Sequence, residues 1–147
     1  MNENISKVMQ ELHSLCRRSI TDGDFNYYHN QELEKYCGLL EKNPDKDLWI
    51  PPLLELAEEF DEAVDLTLGA PGPIVWLLLE QRPILDKHLQ NSLNRKPTVI
   101  SAWLASECAA LSKSDKEKNQ WAQRVRDVLA HPNATSNAID FAKEDLR

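Results

Sequence analysis

The chain has 147 residues and a mass of 16.9 kDa, the size of one ordinary domain, able to bury about 69% of its unfolded surface without disulfides or metal. With 41% hydrophobic and 28% charged residues but only four Gly, the composition is globular and too Gly-poor for a many-turned β-sandwich or a phosphate-cradling loop. A formal net charge of -7 argues against a nucleic-acid-binding domain, which calls for the opposite sign.

Helical spacing runs along almost the whole chain. Ile5, Val8, Met9, Leu12, Leu15 and Cys16 fall on one stripe of an amphipathic helix that is predicted to stop before Asp22-Gly23-Asp24. Leu33, Tyr36, Cys37 and Leu40 mark a second helix, with Asn30 as its N-cap and Asn43-Pro44 beyond its end. Asp47 to Pro52 reads as a helix approach, because tandem prolines suit only a first turn or the entry to it. Leu53, Leu56, Ala57, Phe60, Ala63 and Val64 then form a third apolar stripe, opposite Glu55, Glu58, Glu59, Glu62 and Asp65.

The segment Gly69-Ala70-Pro71-Gly72-Pro73 is the strong break mid-chain. Ile74 to Glu80 follows as a short, nearly all-apolar helix, expected at the centre because it has no polar face. Pro83 opens a fifth helix carrying Leu85, Leu89 and Leu93. Pro97-Thr98 opens a sixth, with Ile100, Trp103, Leu104, Cys108 and Leu111 inward. Ser114 and Glu117 have capping-box spacing at the start of a seventh, which carries Trp121, Val125, Val128 and Leu129. His131-Pro132-Asn133 ends it, and Thr135 caps an eighth with Ile139, Ala142 and Leu146.

No period-2 run interrupts this series, so the expectation is an all-α domain over 1–147, with about eight short helices in antiparallel pairs. Its halves differ: an acidic one, 1–68, and one of paired helices, 69–147. Leu93 through Lys96-Pro97-Thr98 to Trp103-Leu104-Ala105 parallels Leu129 through Pro132-Asn133-Ala134-Thr135 to Asp140-Phe141-Ala142, a period of about 36 residues that suits stacked helix pairs in a compact α-solenoid.

The charge is as uneven as the fold pattern. Residues 21–65 hold thirteen acidic and three basic side chains, for -10; residues 1–20 carry +1 and residues 66–147 carry +2. A surface built from that stretch steers cationic partners towards it. The residues nominated for contact are Glu55, Glu58, Glu59, Glu62 and Asp65 on the third helix, Asp22 and Asp24 before the second, and Trp49 and Tyr28 as aromatic anchors. Trp49 is singled out because it stands in the irregular approach, where it is expected to be partly exposed.

Catalytic and metal motifs find no foothold. His13, His29, His88 and His131 are scattered, with no HExxH and no i, i+4 pair, and Cys16, Cys37 and Cys108 have no CxxC partner. The cysteines read as buried free thiols. Asp22, Asp24 and His29 are explained by a Gly-punctuated polar turn. Trp76, Trp103 and Trp121 lie at helical spacing among apolar residues and are expected in the core. The expectation is therefore a binding protein, not an enzyme, with no cofactor. Without an 18-residue apolar run or a leader-like N-terminus, a soluble, cytoplasmic monomer that contacts neither membrane nor nucleic acid is expected.

Gly72-Pro73-Ile74-Val75, then Leu79-Glu80, Lys96-Pro97-Thr98 and Ala102-Trp103-Leu104, resemble the pattern of a family of small helical bacterial immunity proteins. These belong to polymorphic toxin systems, including contact-dependent growth inhibition. The likeness spans roughly residues 69–147; Trp76 stands where that pattern has His, and Ala102-Trp103-Leu104 replaces an aliphatic run. The resemblance implies a HEAT-like protein that binds a cognate toxin C-terminal domain, one to one, in the cytoplasm. It also implies that the toxin is a basic nuclease, an RNase such as a tRNase before a DNase. A helical-repeat adaptor unrelated to toxins is the alternative.

Overall fold

The computed structural model describes residues 3–22, 27–61 and 72–146. Among them every regular element is an α-helix: α1 (Glu3–Asp22), α2 (Tyr27–Glu41), α3 (Lys46–Phe60), α4 (Gly72–Leu79), α5 (Ile84–Arg95), α6 (Val99–Leu111), α7 (Asp115–Val128) and α8 (Ser136–Asp145). The all-α expectation holds. One buried apolar cluster runs from Ile5 in α1 to Ala142 in α8.

In α1 the anticipated stripe is buried at Ile5, Met9, Leu12, Leu15 and Cys16, with Val8 half-buried, and the helix packs against α2 and α3. The helix runs through Asp22 rather than stopping before it. In α2, which starts at Tyr27, Asn30 is an internal residue and not the N-cap; Leu33, Cys37 and Leu40 are buried as expected.

α3 departs furthest from its reading. Pro51 and Pro52 lie inside it, preceded by five helical residues, although their missing amides remove two helical hydrogen bonds. The upstream turn is held by burial: Trp49 and Ile50 are both 0% exposed, and Trp49 Nε1–H donates to the Asn43 carbonyl at 3.0 Å. Hydrophobic burial of two large side chains, each worth about 1.5–3 kcal/mol, offsets the proline cost. Of the remaining stripe, Leu53, Leu56, Ala57 and Phe60 are buried, while Ala63 and Val64 lie outside the described residues.

Gly72 opens α4 with φ +79°, a left-handed conformation that Gly adopts without the Cβ penalty. Ile74, Val75, Leu77 and Leu78 are buried, but Trp76, expected in the core, is 50% exposed. Eight residues make two turns, and a two-turn helix packed on α2 and α6 still turns one side outward. α6 is the hub: it packs against α3, α4, α5, α7 and α8, with Ile100, Ala102, Leu104, Ala105 and Cys108 buried. Trp103, also expected in the core, is half-buried and stacked on Phe141 of α8 at 5.2 Å between ring centroids. Leu111, Leu129 and Leu146 fall at helix ends and project past the core, all more than a third exposed. Trp121 is buried as expected.

The starts of the last three helices are capped from the side chain. Thr98 Oγ1 accepts from Ser101 N–H while Ser101 Oγ accepts from Thr98 N–H, and Thr135 Oγ1 accepts from Ala138 N–H. Ser114 accepts from Glu117 N–H at 3.1 Å, but the capping box is only half made, because the Glu117 carboxylate accepts from Arg82 instead. The turns before α6 and α8 also stack. Thr135 N–H donates to Pro97 O at 3.1 Å, and His131 Nε2 lies 2.8 Å from the Asn94 carbonyl.

Candidate partner-binding face

Helix α3 buries Leu53, Leu54, Leu56, Ala57 and Phe60, so its opposite side carries Asp47, Leu48, Glu55 and Glu59, all exposed. Two neighbours fix its orientation. On one side α1 packs against it, with His13 Nδ1 3.4 Å from Glu59 Oε2 and the His13 ring edge-on to Phe60 at 5.6 Å. On the other side α5 approaches, and its basic residues alter what the acidic row offers.

Glu58 does not face open solvent. Its carboxylate accepts from Arg95 Nε at 2.8 Å and Nη2 at 2.7 Å, and from Ser92 Oγ at 3.1 Å; its side chain is only 12% exposed. The two-pronged bond raises the Arg95 guanidinium above its ordinary value, helped by the charges of Glu58 and Glu55. Glu58 is an interhelical tie, so the nominated row is interrupted at its middle.

Asp47, absent from the nominated residues, joins α3 to α5 at the other end. His88 Nε2 lies 2.7 Å and Lys87 Nζ 3.4 Å from its Oδ1. The His88 bond, and then the Lys87 charge, hold the Asp47 carboxyl below its usual range. Asp61 is not part of any surface. It is buried and its Oδ1 accepts from Val99 N–H at 2.7 Å, closing the first turn of α6 beyond Thr98.

The other nominees divide plainly. Glu55 and Glu59 are exposed on one face, as anticipated. Trp49 is not an anchor: it is wholly buried, because the helix starts early enough to draw it into the core. Asp24, Glu62 and Asp65, and the side chains of Asp22 and Tyr28, lie outside what is described. Asp47 and the neutralising Arg95 carried no sequence signal. They stand 41 and 37 residues from His88 and Glu58, and no local pattern encodes such pairings.

Elsewhere, the three cysteines are buried free thiols, as read; burial pushes each up to about 12. Among the described residues no group of three or more His, Cys, Asp or Glu is placed to hold a metal ion, and no helix is long and apolar enough to cross a membrane. Comparison with protein-family models, curated proteins and solved structures finds no significant match to this chain.

Proposed function

We propose that this chain is an immunity protein, a HEAT-like binder that occupies and neutralises a basic toxin domain, a nuclease, in the cytoplasm. The observation that carries the reading is the exposed Glu55 and Glu59 on a helix braced from both sides. A braced helix keeps both carboxylates on one outward face, and charge presented this way acts on association rate and partner choice. The resemblance over residues 69–147 supports the biological setting, and the stretch from 21 to 65, at -10, supports the sign of the partner.

The test is co-expression with the C-terminal domain encoded immediately upstream of this gene. Rescue of growth and co-purification of a one-to-one complex are the expected results; toxicity without a complex would end the proposal. In the purified pair, Glu55→Lys with Glu59→Lys should slow association, and added salt should slow the unsubstituted protein likewise. An upstream frame with no toxin domain would turn the choice to the adaptor reading, which draws on the stacked turns before α6 and α8.

A further inference from the structure

Between α1, α2 and the turn into α3 runs a groove of about 700 Å³, within the size range of built binding sites. Three lysines line it, Lys7, Lys35 and Lys42. None has an ion-pair partner among the described residues, a state they share with other exposed basic residues such as Lys113 and Lys118; what sets these three apart is that they line one groove. Local composition makes this unexpected. Residues 21–65 hold three basic side chains against thirteen acidic, and two of those three stand here. The carboxylates of Glu11 and Asp45 share the groove, so its lining sums to +1 in a chain of -7. Glu11 accepts from the Tyr36 hydroxyl at 3.4 Å.

The groove is also apolar. Leu39 is 45% exposed and lies off the buried α2 stripe of Leu33, Cys37 and Leu40, so the core does not account for it. Half-buried Val8 and Tyr36 line the same groove, with Lys35 Nζ 5.5 Å from the Tyr36 ring centroid. Two helix walls, an apolar strip and flexible cations at its edge are the features that receive an amphipathic segment.

We infer that this groove docks an acidic amphipathic segment of a partner protein. The segment seats its apolar side chains on Val8, Tyr36 and Leu39 and sets carboxylates against Lys7, Lys35 and Lys42. This surface has the opposite sign from the α3 face, so it does not rest on the toxin reading and survives that reading's failure.

The probe is a helical peptide with Leu at every third or fourth position and Glu between, paired with a twin in which Lys replaces Glu. Each is titrated into the full isotope-labelled chain while backbone amide shifts are followed. The Glu peptide should bind with Kd of about 1 mM or tighter, with shifts centred on Val8, Leu39 and Asn43. Lys35→Glu with Lys42→Glu should weaken it roughly tenfold without moving the thermal midpoint; if that variant fails to fold, Lys35→Gln with Lys42→Gln replaces it. Equal binding of the Lys peptide, shifts centred elsewhere, or no binding at that concentration would overturn the inference.

Discussion

From α6 onward, helices begin on neutral hydrogen bonds written into the adjacent sequence; from α1 to α3, they are joined by ion pairs and apolar contact. Thr98, Ser114 and Thr135 each cap their own helix, and the turn before α8 is bonded to the turn before α6 through Thr135 and His131. In the first half Asp45 precedes α3 without a side-chain cap bond. There Arg18 meets Glu32 and His13 meets Glu59, while α3 is tied to α5 through Glu58 and Asp47. Ionic contact is not absent from the second half: Arg82 binds Asp86 and Glu117 and stands over the Trp121 ring. A cap needs two residues three apart and survives changes of salt and pH. An ion pair between helices needs the whole fold to bring it together, and it weakens with screening.

The largest effect should come from the apolar contact on which the first half depends. Trp49→Ala should cost about 3–5 kcal/mol, measured by denaturant unfolding, because the side chain is wholly buried and anchors the turn ahead of two prolines. A loss under about 1 kcal/mol, the size of an ordinary surface change, would mean α3 begins after Pro52 and the first half has no such anchor. Glu58→Lys comes next, at about 1–2 kcal/mol, discounted because Arg95 is half exposed. Glu55→Lys should change stability by less than about 0.5 kcal/mol. Equal effects at the two positions would restore a uniform acidic row.

The caps sharpen the comparison from the other side. Thr98→Ala and Thr135→Ala should each cost about 1 kcal/mol, with little dependence on salt, whereas Asp45→Ala should stay within about 0.5 kcal/mol. Thermal midpoints at low and high salt separate these cases. A destabilising Asp45→Ala would show that the first half is capped after all.

These differences also explain what could be read from sequence. The buried stripes of α1 and α2, the cap at Thr135 and the cap at Ser114 follow from periods and spacings of three or four residues, which is the range over which local sequence dictates geometry. Trp49 departs from its pattern because proline rules describe the cost of a helical proline but not the burial that offsets it. Glu58 departs from its pattern because a helical wheel gives direction relative to the helix's own core and is blind to the neighbouring helix that stands opposite. Trp76 failed for a related reason: an all-apolar helix offers no contrast from which to choose its outward side. The groove has no local signature, because Lys7, Lys35 and Lys42 are dispersed along the chain and converge only when α1 packs on α2.

The smallest expected effect is the most diagnostic of ionic joining, and it concerns Asp47. Its carboxyl ordinarily titrates near 3.8 and is held lower in the fold. A depressed carboxylate contributes stability that is full above the unfolded value and is lost as pH falls through the folded value. The His88 bond and the Lys87 charge both act on the ionised carboxylate, so their stabilisation persists until Asp47 itself takes up a proton. The thermal midpoint of Asp47→Asn should therefore sit below that of the unsubstituted chain at neutral pH, and the gap should close as pH drops below about 3.8. His88→Asn should narrow the same gap at neutral pH by removing the principal partner. Thermal scans across pH read both effects directly. A gap that stayed constant into strong acid would show that Asp47 joins α3 to α5 by hydrogen-bond geometry alone, and the contrast between an ionic half and a capped half would lose its clearest example.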